Sequence, residues 1–172
     1  TDELKTMFQG ICSLSVEEDG LVFPPAAVKV VPIREDSEYG GMRVTVQARL
    51  GQARIPLQVD VGFGDAITPR AKIEEFPALL EFPAPRLPMY PRESAVSEKY
   101  ETMVRRGMAN SRMKDYYDVW ALANKSDFEG EVLKNAIRAT FRRRKTILPE
   151  EVPTGLSDEF AGDETKRTQW GA

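Results

Sequence analysis

The stretch Ile55-Pro56-Leu57-Gln58-Val59-Asp60-Val61-Gly62-Phe63 sets an apolar side chain at every second position, with Pro56, Gln58, Asp60 and Gly62 in between. Strict alternation predicts a strand with one buried face. Just upstream, Met42, Val44, Val46 and Ala48 alternate with Arg43, Thr45 and Gln47, and Leu50-Gly51-Gln52-Ala53 suits a short antiparallel link between the two runs. A valine-rich run from Ala27 to Ile33, followed by turn chemistry at Glu38-Tyr39-Gly40-Gly41, completes a three-stranded meander. Proline has no main-chain donor, so Pro56 places the third strand at a sheet edge or makes its first residues irregular.

Working outward, Leu4, Met7, Phe8 and Ile11 repeat at helical spacing from Asp2 to about Ser13, with Asp2 a candidate cap. That the chain opens at Thr1 and enters this pattern at once, with no targeting segment, reads as processing or as a piece of something longer. From Asp65 to Pro91 six prolines forbid a long helix and leave room for at most one short strand or helical turn, around Leu79 to Tyr90. Beyond them the period becomes 3.6. Three helices are predicted, over Arg92–Arg106 with Gly107 as its C-terminal cap, over Met113–Asn124, and over Glu129–Arg144 with Asp127 as N-cap. Two short polar segments follow, near 157–161 and 164–170. Sheet first and helices after is an α+β layout, with an antiparallel or mixed sheet region over 1–91 and a helical part over 92–172 packed on it.

Composition narrows the chemistry. At 172 residues the chain suits one domain that buries about two-thirds of its unfolded surface. Its mean hydropathy of −0.41 and lack of a long apolar run argue against a membrane span and for a cytoplasmic protein. The net charge of −3 leaves any nucleic-acid contact local. One cysteine, Cys12, precludes an internal disulfide and clustered thiolate metal sites, and suits a reducing compartment. Zero histidines remove Ser-His-Asp and Cys-His machinery, histidine-ligated zinc and imidazole base catalysis together. Carboxylates, amines, hydroxyls or a bound ion must do the work. Walker, dinucleotide-binding and HExxH patterns are absent.

Asp60 falls opposite the apolar face of its strand, either as a plain solvent-facing carboxylate or, beside Gly62 and Gly64, as a ligand for magnesium near a phosphate. Lys99 sits in the middle of the stripe 95, 96, 99, 100, 103 and 104, where a charge is costly unless paired. Its amine either snorkels to water or aims into a cleft, toward a carboxylate or a nucleotide phosphate. In Ser111-Arg112-Met113-Lys114-Asp115-Tyr116-Tyr117-Asp118, Asp115 with Asp118 and Lys114 with Asp118 can meet on a helix surface, although acids early in a helix are favoured by its dipole alone. Arg142-Arg143-Arg144-Lys145, with Arg138 a turn before, is either ordinary C-terminal charge or a phosphate-backbone contact.

Taken in order, Asp19-Gly20-Leu21-Val22-Phe23, Ile33-Arg34-Glu35-Asp36, Tyr39-Gly40-Gly41-Met42-Arg43-Val44, the run from Ile55 to Asp65, Phe82-Pro83-Ala84-Pro85, Glu98-Lys99 and Ser111 to Asp118 resemble the AbiEii/AbiGii family of nucleotidyltransferase-like toxins. The likeness runs from about Ile11 to about Trp170. It implies a fold like that of the DNA polymerase β-type nucleotidyltransferases, and a role in bacterial abortive infection or toxin–antitoxin pairs. It further implies magnesium as cofactor, a nucleoside triphosphate as donor, tRNA as a possible acceptor and an antitoxin protein as a possible partner. By the same resemblance Asp60 is the third metal-binding carboxylate, Lys99 and Asp115 are catalytic, and Lys114 and Asp118 contact substrate.

The departure is equally plain. No Gly-Ser turn followed by Asp-x-Asp occurs in the 172 residues, and two-metal phosphoryl transfer needs several carboxylates at once. The expectation is therefore the downstream portion of a nucleotidyltransferase, inactive by itself. The alternative is a non-catalytic remnant that binds an antitoxin protein or RNA.

Overall fold

Gly51, at φ 57°, supplies the left-handed residue of a two-residue link in which Leu50 pairs with Ala53, and the central hairpin of the sheet grows from it. A computed structural model describes residues 1–33 and 40–171; Glu38 and Tyr39 of the expected turn, and Arg34 to Asp36, lie outside the described residues. By packing, the chain forms two units, Thr1–Gly64 and Asp65–Ala172, each described by itself. The proline-rich connector thus groups with the helices, because its Thr68 is tied to the first of them.

In the first unit, helix α1 (Asp2–Cys12) is followed by β1 (Leu21–Val22), β2 (Lys29–Ile33), β3 (Gly41–Leu50) and β4 (Ala53–Gly62). All pairings are antiparallel. β3 lies at the centre, with β4 along one side and β2 and β1 along the other. The meander β2-β3-β4 is as the alternation requires, and Pro56 does sit on an edge strand, opposite Gln47. Leu4, Phe8 and Cys12, four apart on α1, pack against Val28, Val44 and Val46. Met7 and Ile11, expected on the same stripe, are each 52% exposed, because the helix meets the small sheet along a single row. Asp2 does not cap α1: Thr1 holds that position, and Asp2 lies in the first turn, where its charge suits the dipole. β4 is less buried than its pattern predicts. Leu57 and Val59, facing the same side as Val46 and Val44 across the ladder, are 41% and 43% exposed.

The second unit opens with a hairpin of β5 (Lys72–Glu75) and β6 (Arg86–Met89), where only one short strand was expected. Helices α2 (Arg92–Arg106), α3 (Met113–Lys125) and α4 (Gly130–Arg143) follow, then the short α5 (Asp158–Gly162) and α6 (Glu164–Gly171). Gly107, at φ 47°, ends α2 as expected, whereas Glu129 rather than Asp127 precedes α4. The α2 and α4 helices meet through Met103, Ala136 and Phe141, with the Tyr100 and Phe141 rings 5.4 Å apart. The deepest face of α2 is polar, since Ser94, Ser97 and Glu101 are fully buried. Each is satisfied. Ser94 Oγ donates to the Thr68 carbonyl (2.9 Å) and accepts from its N–H (2.8 Å), and Ser97 Oγ donates to the Glu93 carbonyl (2.6 Å).

Glu101 is the hub of this face. Its carboxylate accepts from Arg105 Nε (3.1 Å), Arg144 Nη1 (2.9 Å) and Thr146 Oγ1 (2.6 Å), so α2 is fastened to the end of α4. Gly155, between Pro153 and α5, fastens it from another side. A Cβ there would stand 2.5 Å from the Met103 carbonyl oxygen and 3.3 Å from the Tyr116 hydroxyl. Backbone cannot yield as a side-chain tip can. Gly155→Ala is therefore expected to lower stability by about 1–3 kcal/mol, read from the urea midpoint; an unchanged midpoint would show that this segment gives way freely.

Candidate functional site

Two helices bring three of the expected site residues together. Lys99, in the middle of α2, directs its Nζ to Asp115 Oδ1 (3.1 Å) and Asp118 Oδ2 (2.8 Å), both on the first turns of α3. The spacing of three that lets Asp115 and Asp118 share one helix face is what converges them on a single amine. Arg112 closes the cluster, with Nε 2.6 Å from Asp115 Oδ2. Asp115 is only 4% exposed at its side chain, whereas Lys99 and Asp118 keep 23% and 28%. The amine thus touches solvent while the carboxylate beneath it does not.

Burial raises the Asp115 carboxyl, but the hydrogen bonds from Arg112 and Lys99 more than reverse that and hold it below the ordinary carboxylate range. For Lys99 burial disfavours the ammonium, and Asp118 and Asp115 outweigh it, so its pKa is raised. Near neutral pH Lys99 is a cation and not a base. Its ammonium has three donors, of which two are engaged, so it can offer one hydrogen bond and a point charge to an incoming phosphate oxygen.

The preceding residue, Glu98, belongs to a second network. Tyr90 donates from its hydroxyl to Glu98, and Arg144 Nη2 lies 3.4 Å from Glu98 Oε2 and 3.3 Å from Asp65 Oδ1. Burial, then the nearby Asp65 charge, pushes the Glu98 carboxyl up despite Tyr90 and Arg144. Tyr90 is driven far above its ordinary range by burial and by Glu98.

Sequence patterning missed the residues that aim α3. Asn110, fully buried, accepts from the Arg112 N–H on Oδ1 (3.1 Å) and donates from Nδ2 to the Tyr116 hydroxyl (3.2 Å). Its own carbonyl accepts from Lys166 Nζ (2.9 Å), a lysine 9% exposed and 5.4 Å from the centre of the Phe160 ring. An asparagine two residues before a basic helix start is a recognised turn signal. Lys166, a lone lysine in a polar segment, carries none.

Asp60 stands elsewhere in the chain, in the first unit. Across the ladder Arg43 grips it with both arms of its guanidinium, Nε to Oδ1 at 2.8 Å and Nη2 to Oδ2 at 2.9 Å. That hydrogen bonding, against a little desolvation, holds its carboxyl below the usual range. Lys114 is exposed and takes no part in the ion pairs of the Lys99 cluster. Among the described residues no three acidic, cysteine or histidine side chains are disposed to hold a metal ion. With both oxygens on Arg43, Asp60 does not by itself fit magnesium.

A family model described as nucleotidyl transferase AbiEii toxin, type IV toxin–antitoxin system, matches residues 1–172. The chain belongs to this family. The AbiEii family is one of toxins working against an antitoxin, and nucleotidyl transfer is the activity its description gives. Comparisons of the chain with curated proteins and with solved structures gave no match. Among its described residues no helix is long and apolar enough to cross a membrane.

Proposed function

We propose that this chain supplies the downstream part of a toxin nucleotidyl transfer site that moves a nucleotide from a nucleoside triphosphate to an acceptor such as tRNA, in the bacterial cytoplasm. The observation that carries the reading is the Lys99 ammonium, half-sunk and gripped by Asp115 and Asp118 with one donor left over. A preorganised cation of this kind stabilises charge that develops on a transferring phosphoryl group. Asp115 holds the amine in place, Asp118 and Lys114 face the substrate, and Asp60 would serve magnesium only after exchanging Arg43 for the ion. The other carboxylates, an Asp-x-Asp pair, come from outside residues 1–172, and without them the chain is inactive. The occupied state of Asp60 favours one second reading, a binding module without chemistry that engages an antitoxin protein or RNA.

The test uses a protein that joins this chain to a segment with the Gly-Ser turn and Asp-x-Asp, incubated with magnesium, radiolabelled nucleoside triphosphates and total tRNA. Label transfer is expected, and Asp60→Ala should abolish it. Undiminished transfer by that variant removes Asp60 from the site. Transfer by the 172-residue chain alone would mean that the catalytic carboxylates lie within it.

A further inference from the structure

Away from the Lys99 cluster, the most one-sided charge lies on α4. From Val132 to Pro149 the chain carries six cations, Lys134, Arg138, Arg142, Arg143, Arg144 and Lys145, and no acid, although its net charge is −3. Two ordinary causes account for part of this. The helix dipole favours cations in the last turn, and Arg144 turns inward to Glu98 and Glu101.

Lys134, Arg138 and Arg142 form a row that these causes cover only in part, at Arg142 in the last turn. They are exposed and lie four residues apart, on the side of α4 away from buried Ala136 and Thr140, so the row advances about 6 Å per step. The dipole's influence fades within one turn, and Lys134 and Arg138 stand before that turn. Lys134 pairs with Glu131, whereas Arg138 and Arg142 have no acidic partner among the described residues. The stripe also offers no exposed apolar anchor of its own, since Phe141 beside it is buried and Leu133 and Ile137 are half-buried. Protein partners are usually held by aromatic or aliphatic anchors at the centre of a contact. A bare row of cations, two of them guanidinium forks, suits phosphates instead.

We propose that the Lys134, Arg138 and Arg142 stripe of α4 is the docking ridge for the phosphodiester backbone of an RNA strand. That the strand is RNA rests on the acceptor proposed above; the ridge itself rests on α4. A stacked strand rises only about 3.4 Å per phosphate, so the ridge meets every second phosphate or a partly unstacked strand. No base is read, and binding is indifferent to sequence.

The experiment measures the affinity of the 172-residue chain for a fluorescently labelled, unstructured oligoribonucleotide across a salt series, without magnesium or nucleotide. For a single strand, log K falls with log salt by about 0.7 per phosphate neutralised. The triple variant Lys134→Gln, Arg138→Gln, Arg142→Gln is therefore expected to flatten that slope by about 2 and to bind about a hundredfold more weakly at 0.1 M salt. The comparison is Lys5→Gln, Lys29→Gln, Arg54→Gln, which removes the same charge from exposed positions of the first unit. An equal loss in both overturns the ridge, as does displacement of the RNA by polyglutamate at equal charge, which would mark an acidic protein as the partner. Because no transfer is read, a ridge that binds in a protein that never transfers label sinks only the acceptor reading. Unchanged RNA affinity in the ridge variant sinks only the ridge.

Discussion

Glu101→Ala is expected to lower the stability of the helical unit by about 3 kcal/mol, toward the lower end of what breaking a buried charge network costs. The carboxylate is fully buried and is the common acceptor for Arg105, Arg144 and Thr146. Arg105 is 42% exposed and can turn to water, and Arg144 retains Asp65 and Glu98, which limits the loss. Thr146 keeps only a long contact to the Arg144 carbonyl (3.4 Å), and the α2 side of the contact is left without its carboxylate. Glu101→Gln keeps the shape and one acceptor and should lose about half as much. Both tryptophans, Trp120 and Trp170, lie in this unit, so their fluorescence in urea follows it without interference from the sheet. A loss under about 1 kcal/mol for the alanine variant would show that α2 and α4 hold together by apolar packing alone.

The second large effect concerns activity. On the proposed function, Lys99→Met in the transfer-competent protein should cut kcat by 10²–10³-fold, the range for removing one preorganised electrostatic group, with a much smaller change in KM. Lys99→Arg should recover only part of it, because a planar fork does not reproduce a compact ammonium between two carboxylates. The pH dependence of stability supplies an independent check. Asp115 has a lowered pKa, so its contribution is present above the ordinary value of 3.8 and is lost as pH falls through the lowered one. Lys99 has a raised pKa, so its contribution is present below 10.5 and is lost as pH rises through the raised one. The pair is thus intact from about pH 4 to 10, and Lys99→Met should erase the alkaline limb while leaving an acid limb from Asp115 and Arg112. An alkaline limb that survives in Lys99→Met would show that the amine is not held as described.

How much of this was legible beforehand differs by element. The meander was, because β3 alternates under a helix that buries one of its faces. So were α2, α3 and the end of α2 at Gly107, where the apolar period and a left-handed glycine coincide. The polar face of α2 was not: Ser94 and Glu101 are inside because each finds a partner far away in sequence, Ser97 because its hydroxyl bonds back to the Glu93 carbonyl, and periodicity counts only apolar positions. The β5–β6 hairpin was hidden by prolines, which disguise strands too short to alternate. At the site, the spacing of Asp115 and Asp118 showed that they share a face, and a lysine in an apolar stripe showed that it needs a partner. That each is the other's partner is a tertiary fact. Asp60 is the converse case, since the strand pattern gave its face but not the register that sets Arg43 directly across from it.

The outer side of β4 carries a further implication. A ten-residue strand whose outer rim meets no further strand among the described residues, and with Leu57 and Val59 partly bare beside it, invites another extended segment to lie alongside. Until something does, the commonest candidate in a concentrated preparation is the same strand of a sister molecule. The yield of dispersed protein is then governed by what caps that rim as much as by the strength of the interior, and a lysine introduced at Val59 would act as a gatekeeper against such stacking.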